Sequence, residues 1–124
     1  MTPESFLRQY TQALGSQLWR QVAPLIHADA CVTFSTGTVH KGKTAVQEAF
    51  ENNFSAIEGE HYEISNVHWA LRSDQVAVCL FDFNWAGRIE DREASGGGKG
   101  TSVLVRNGSS WQLLVEHLSP RGSS

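Results

Sequence analysis

The spacing of apolar residues changes near residue 59, and this change limits the fold more than any other feature of the 124-residue sequence. Before it, apolar side chains recur every three or four residues, as in a helix with one buried side. After it, they alternate or run on continuously, as in strands, and no later stretch returns to the helical spacing. Helices followed by strands predict an α+β fold, and the length fits a single domain.

Three helices are predicted in the first part of the chain. The first begins at Thr2, where a capping hydroxyl precedes a proline and an acid that suit the first turn. Its apolar side consists of Phe6, Leu7, Tyr10 and Leu14. A second, short helix is disturbed by Pro24, because proline removes a backbone donor. After a short strand at residues 31–34, a third helix spans about residues 44–57.

The second part predicts long antiparallel strands. Alternation changes phase between Ile64 and Val67, which predicts a β-bulge near Ser65-Asn66. Residues 75–85 are apolar on both faces, as in a strand that is covered on both sides. Residues 86–100 are polar and rich in glycine and are predicted to be a connection, with a mobile loop at residues 95–102. Residues 100–106 and 111–119 form a last hairpin through Asn107-Gly108.

Residues 37–44 read GTVHKGKT and match the phosphate-binding pattern GxxxxGK[ST]. That pattern functions where a glycine-rich loop joins a strand to a helix in a parallel sheet with helical crossovers. The chain has no helix after residue 59 to form such crossovers, and TVHK reads as a short strand. We therefore expect a strand, a turn and a helix start, with no nucleotide bound.

Composition and charge argue against several functional classes. A net charge of −3 lacks the clustered cations of a nucleic-acid surface, and no apolar run reaches membrane-spanning length. The N-terminus has no signal-peptide pattern, so a cytoplasmic protein is expected. Cys31 and Cys79 lie in apolar runs and are interpreted as small buried residues. The histidines lack the spacing of metal ligands, and neither a metal nor another cofactor is expected.

Three segments together resemble the nuclear transport factor 2-like superfamily, which has a cystatin-like fold and includes SnoaL-like proteins and ketosteroid isomerases. They are the helical start from FLRQYTQALG to HADACVTF, the helix entry HKGKTAVQEAF, and the closing strand WQLLVEHLS. The resemblance covers nearly the whole chain. It implies a SnoaL-like domain over residues 1–119, with residues 120–124 as a flexible tail.

The resemblance also implies a shape and an assembly. Members fold as a cone in which a strongly curved antiparallel sheet wraps three N-terminal helices, and a pocket for a small molecule opens between them. Many members pair as homodimers through the outer face of the sheet. Tyr10 falls where ketosteroid isomerases keep a tyrosine that donates to an oxyanion. Their general-base position falls near Ser35, which argues against steroid isomerisation.

The candidate site residues follow from this geometry. In the last strand Trp111, Val115 and His117 share one face, and His117 is predicted to point into the cone as an acid–base or ligand-binding group with Tyr10. The predicted pocket lining is Tyr10, Phe34, Phe54, Trp69, Phe83, Trp85 and His117. The alternatives are that Tyr10 and the aromatic residues are ordinary core and that His117 bonds only to the backbone. Asp82 interrupts an apolar strand, so it is expected to be either functional or held by donors, and the structural role is favoured.

Three functions remain open at this point. The leading hypothesis is a homodimer that binds a small apolar molecule, possibly one with a carbonyl group. The second is an enzyme of the same fold that performs proton transfer as an isomerase, cyclase or hydratase. The third is an assembly module without a ligand. A shared fold does not decide among them.

Overall fold

The computed structural model describes residues 2–121 and contains three helices and one six-stranded sheet. The helices are α1 (Pro3–Ser16), α2 (Trp19–Val22) and α3 (Lys43–Ala56), with a 3-10 turn at Ala23–Leu25. The strands are β1 (Ile26–Thr33), β2 (Val39–Lys41), β3 (Glu58–Arg72), β4 (Val76–Ile89), β5 (Arg92–Asn107) and β6 (Ser110–Pro120). The predicted α+β class with three N-terminal helices is confirmed.

The start of α1 follows the sequence prediction. The Thr2 hydroxyl accepts a hydrogen bond from the Ser5 backbone at 3.1 Å, and the Ser5 hydroxyl accepts one from the Thr2 backbone at 3.0 Å. The helix ends at Gln17, which has a left-handed backbone (φ 56°). Its side-chain amide donates to the Ile57 carbonyl at 2.5 Å and accepts from the Glu60 backbone at 3.4 Å. Gln17 thereby ties the end of α1 to the corner between α3 and β3.

The sheet has the strand order β2-β1-β6-β5-β4-β3. Neighbouring strands are antiparallel except β1 and β6, which are parallel, so the sheet is mixed. Parallel strands need a long connection, and strands β2 to β5 all lie between β1 and β6 in the sequence. The helices cover one face, here called the inner face, and the other is the outer face.

The predicted bulge in β3 is confirmed. The register with β4 shifts between Ser65 and His68, and Asn66 takes a positive φ of 53°. An extra residue in one strand bends it and reverses which residues face the helices. As a result Tyr62 and Trp69, on opposite sides of the bulge, both face inward.

The prediction of a connection over residues 86–100 is wrong. β4 and β5 continue as paired strands through this region and turn only at Glu90-Asp91. Two of the glycines in β5 lie where aromatic rings cross them from β4: a Cβ on Gly96 would lie 2.6 Å from the Trp85 indole nitrogen, and one on Gly100 would overlap the Phe81 ring. The predicted mobile loop at residues 95–102 is therefore a strand.

The motif GTVHKGKT folds as β2, a turn at Gly42 and the start of α3, as predicted. Gly42 has a φ of 87°, which a residue with a side chain rarely adopts. At the other end of the chain, β6 reaches Pro120, and the Arg121 backbone donates to the Gly97 carbonyl at 3.0 Å. Of the predicted tail, residues 122–124 lie outside the described residues.

The core lies between the helices and the inner face. Its largest fully buried side chains are Tyr10, Phe6, Ile26, Leu104 and Leu113. In β4, Ala77, Cys79, Phe81 and Phe83 are buried. The outer face of the same strand is open, and Leu80 is 44% exposed. The sequence predicted that this strand is covered on both faces. In the single chain, its inner face is covered and its outer face is open.

Candidate functional site

The central feature of the inner face is a buried carboxyl group, that of Glu116 in β6. Its side chain is only 3% exposed although its neighbours in the strand, Val115 and His117, are exposed. A bulge at Leu114 causes this arrangement, because Val103 and Leu104 of β5 pair with Val115 and Leu113 and leave Leu114 as an extra residue. Glu116 therefore faces the helices in the position that the sequence pattern assigned to His117.

Two hydroxyl groups hold the Glu116 carboxyl. The Tyr10 hydroxyl from α1 donates to Oε2 at 3.1 Å, and the Ser102 hydroxyl from β5 donates to Oε1 at 3.4 Å. The Tyr10 ring is fixed in turn by stacking on Phe6, with ring centroids 5.7 Å apart. Ser102 is itself buried, at 2% exposure. The acid is therefore fixed by an α-helix on one side and a neighbouring strand on the other.

Burial governs the protonation of this group. It raises the pKa of Glu116 from 4.5 to about 7, against the opposing effect of the Tyr10 and Ser102 hydrogen bonds, which favour the charged form. Burial, together with the Glu116 charge, also raises the pKa of Tyr10 well above its usual range. At neutral pH the site thus holds a neutral tyrosine and a carboxyl group that is present in both protonation states.

A small cavity lies beside this pair. Its volume is about 50 Å³, and it is lined mainly by aromatic and leucine side chains with a few polar groups: Tyr10, Leu14, Phe34, Phe50, Asn53, Phe54, Glu60, Tyr62, Glu116 and Leu118. A water molecule occupies about 30 Å³ in the liquid, and cavities of about 150 Å³ accept benzene. The inner cavity as it stands fits a ligand of a few heavy atoms.

A second acid, Glu60, lies in the cavity wall. It comes from the start of β3 and is half-buried, and burial raises its pKa. Tyr62 follows two residues later, and burial with the charges of Glu116 and Glu60 raises the pKa of Tyr62 well above its usual range. The polar groups of the inner cavity are thus carboxyls, phenols and one amide.

A larger groove runs between α1 and β3. It has a volume of about 690 Å³ and is lined by Glu4, Leu7, Arg8, Thr11, Gln12, His61, Tyr62, Glu63, Ile64, Val67 and Trp69. Apolar surface predominates on its floor, with Leu7 from the helix and Ile64 and Trp69 from the strand. The Arg72 guanidinium donates two hydrogen bonds to the Glu4 carboxylate, at 2.6 and 2.8 Å, and bridges strand and helix at one end.

The predicted site residues divide between these places. Tyr10, Phe34 and Phe54 line the inner cavity, and Trp69 lines the groove. Phe83 is buried beneath Tyr62, with their rings stacked at 6.3 Å, and Trp85 lies against Gly96 on the inner face. Four of the predicted pocket residues therefore line the inner cavity or the groove. The two from β4, Phe83 and Trp85, lie on the inner face of the sheet.

His117 does not join Tyr10. It is exposed on the outer face, where it pairs across the strands with Thr101, and the prediction that it points into the cone is wrong. Asp82 lies on the same outer face, where Lys99 donates to it at 2.5 Å and Asn66 at 2.7 Å. The expectation that donors hold Asp82 is confirmed.

Sequence reasoning missed Glu116, Ser102 and Glu60. One signal was present: WQLLVEHLS contains a single acid between apolar residues, on the face of Leu114 and Leu118. A carboxyl in an apolar strand is costly unless it is held by donors, and that made Glu116 as much a candidate as Asp82.

Two further observations concern the described residues 2–121 only. No group of three or more His, Cys, Asp or Glu side chains is arranged to hold a metal ion. No helix is both long and apolar enough to cross a membrane.

Comparison with known protein families identifies the family to which the chain belongs. The model of the SnoaL-like domain matches residues 4–121, which is nearly the entire chain. The chain belongs to the SnoaL-like domain family. This membership agrees with the helix order, the mixed sheet and the inner cavity of a nuclear transport factor 2-like, cystatin-like fold. Among curated proteins, none matches this SnoaL-like chain.

Solved structures of similar shape come from several bacteria. A candidate calcium/calmodulin-dependent protein kinase II association domain of Xanthomonas campestris superposes with a TM-score of 0.86 at 15% identity, covering 98% of this chain and 86% of that one. A candidate dehydratase of the nuclear transport factor 2-like family from Streptomyces avermitilis gives 0.86 at 16% identity, covering 97% and 94%. A candidate scytalone dehydratase of Novosphingobium aromaticivorans gives 0.81 at 16% identity, covering 98% and 91%. At these identities the likeness establishes the fold alone.

Proposed function

We propose that this SnoaL-like protein binds a small, largely apolar molecule with a carbonyl group in the inner cavity. The observation that carries the proposal is the Glu116–Tyr10 pair, a buried acid and a phenol that meet beside an aromatic-lined cavity. In its neutral form Glu116 donates a hydrogen bond, and a carbonyl oxygen is a ligand group that accepts one without bringing a charge into the site. The apolar rings supply the remaining contact.

A second candidate function is proton transfer on the same ligand. The pKa of Glu116, about 7, is near the value at which a general base is most effective at neutral pH. The Glu116 carboxylate would remove a proton from the carbon beside the carbonyl, the C–H electron pair would form a carbon–carbon double bond, and the carbonyl oxygen would take the negative charge. Tyr10 would donate its hydroxyl hydrogen bond to that oxygen in place of Glu116, and return of the proton to carbon would close the cycle.

Acetone tests both functions because it is the smallest ketone, with four heavy atoms. Binding is followed by NMR shifts of the Asn53 side-chain amide, which lies in the cavity wall. If neutral Glu116 is the donor, affinity falls about tenfold per pH unit above pH 7, and it stays constant with pH in Glu116→Gln. Isobutene, which has the same shape without the oxygen, is the matched ligand and should bind without pH dependence. A pH-independent affinity of the wild-type protein for acetone would contradict the proposal.

The enzymatic alternative has its own readout in the same sample. In deuterated water, proton transfer replaces the hydrogens of acetone with deuterium, and NMR follows the loss of their signal. Exchange above the buffer rate that disappears in Glu116→Gln supports catalysis. Binding without exchange above the buffer rate leaves a ligand-binding protein.

We further propose that two copies pair through the outer face. Leu80 and Val115 are 44% and 37% exposed there, beside the half-buried Val78 and Val103. Asp82 and Lys99 form an ion pair with each other on the same face, so together they add no net charge that would repel an identical partner. The third function considered above, a module that assembles without a ligand, would need this surface but not the Glu116 site.

A further inference from the structure

The inner cavity and the groove between α1 and β3 share one residue, Tyr62. It lines both spaces, and among the lining residues of the two it alone does so. The face of α1 that packs on the sheet turns Tyr10 and Leu14 to the cavity and Leu7 and Thr11 to the groove. The Tyr62 side chain therefore stands where the two spaces meet beneath this helix.

The Tyr62 ring is held less firmly than that of Tyr10. Among residues 2–121 its ring contacts one other aromatic ring, that of Phe83, with centroids 6.3 Å apart, whereas Tyr10 has both a stacked ring and a hydrogen bond to Glu116. Within the described part of the chain, the Tyr62 hydroxyl has no hydrogen-bond partner. The ring can therefore turn without breaking a hydrogen bond.

The volumes of the two spaces differ greatly. The cavity that contains Glu116 offers about 50 Å³, while the groove offers about 690 Å³ of mainly apolar surface and has no buried acid. Typical ligand pockets measure about 300–1,000 Å³. Neither space alone combines the chemistry with the size, whereas the two joined would provide both.

We infer that Tyr62 sets the length of ligand that the protein accepts, and that the groove is the binding site for the apolar tail of a ligand whose carbonyl group reaches Glu116. The inference rests on the proposed function, since it assumes the carbonyl contact at Glu116. The chemical class is a carbonyl compound with a linear or flat apolar tail. The tail would leave the cavity past Tyr62 and lie along Leu7, Ile64 and Trp69 toward the Glu4–Arg72 bridge.

The test uses methyl ketones of increasing length, from acetone to 2-nonanone. In the wild-type protein, affinity should not rise beyond that of acetone, because the ring closes the cavity and about 50 Å³ leaves no room for further carbons. In Tyr62→Ala, affinity should continue to rise about fourfold per added CH₂, as expected when each leaves water for apolar surface. Tyr62→Phe keeps the ring and removes only the hydroxyl, so it is the matched control and should keep the wild-type limit. Tyr62→Leu is the second variant if the alanine variant does not fold.

Two NMR signals separate the outcomes, that of the Trp69 indole in the groove and that of the Asn53 side-chain amide in the cavity wall. In Tyr62→Ala, long ketones should shift the Trp69 indole signal together with the Asn53 amide. An identical chain-length limit in Tyr62→Ala and wild type would overturn the inference. So would long ketones that shift Trp69 and leave Asn53 unchanged, because the groove would then bind the tail alone. Failure of acetone to bind the wild-type protein would instead contradict the proposed function.

Discussion

The buried Glu116 carboxyl makes stability depend on pH in a direction opposite to that of most carboxylates. Its pKa is raised in the folded protein, so the folded state binds a proton more tightly than the unfolded chain does. The stabilisation is complete below the unfolded pKa of 4.5 and is lost as pH rises through about 7. We therefore predict that wild-type stability falls between pH 5 and pH 8.

The size of the effect follows from the two pKa values. Each pKa unit corresponds to about 1.4 kcal/mol, so the free energy of unfolding should fall by about 3 kcal/mol across this range. Glu116→Gln has the shape of the neutral acid and keeps an oxygen for Tyr10 and an amide for Ser102. It should remove this fall and, at pH 8, exceed the wild-type stability by up to about 3 kcal/mol.

Urea unfolding followed by tryptophan fluorescence at pH 5, 6.5 and 8 measures both quantities. Glu48→Gln is the matched control, because Glu48 is an exposed acid of α3. Comparison of the two variants with wild type removes the contribution of groups other than Glu116. If Glu116→Gln showed the same pH dependence as wild type and Glu48→Gln, the reasoning would be refuted.

Three further predictions use other parts of the molecule. Gly98→Ala should destabilise the protein by several kcal/mol, because its Cβ would overlap a carbonyl oxygen of β6. Gly15→Ala, in open space on α1, should stabilise the protein by about 0.5–1 kcal/mol. Thermal unfolding of the two variants and the wild-type protein measures both effects. Tyr10→Phe removes a hydrogen bond to the charged acid, so the pKa of Glu116 should rise further, as a carboxyl ¹³C titration would record. Leu80→Lys should convert a dimer to monomers in analytical ultracentrifugation; a wild-type monomer, or a variant that remains dimeric, would count against pairing through the outer face.

The two bulges show what the sequence can and cannot reveal. The bulge in β3 was predictable because clear alternation on both sides of Ser65-Asn66 made the change of phase visible. The bulge in β6 falls at Leu114, beside Leu113, and two adjacent leucines fit either phase equally well. The sequence pattern therefore predicted the strand correctly but assigned the wrong face to the residues after Leu114. As a result His117 was predicted to face the helices, where Glu116 lies.

The prediction for the glycine-rich part of β5 was wrong for a different reason. Alternation is a property of side chains, and glycines have none, so Gly96 and Gly100 carry no strand signal. Their place in the sheet depends on the Trp85 and Phe81 rings of β4 that cross them, which is a contact between strands. The cavity likewise depended on distant contacts, since Tyr10 and Glu116 are 106 residues apart in the chain.

Folding alone does not account for an acid at position 116. A glutamine would satisfy the Tyr10 and Ser102 hydroxyls with the same shape, and a leucine would bury more apolar surface. The carboxyl instead lowers stability at neutral pH by an amount comparable to a core mutation. A group that is costly to the fold, buried beside a cavity and close to half-protonation at pH 7 is typical of a functional site. The same stability measurement therefore bears on function: a flat pH profile in the wild-type protein would remove both the cost and the main reason to place a ligand at Glu116.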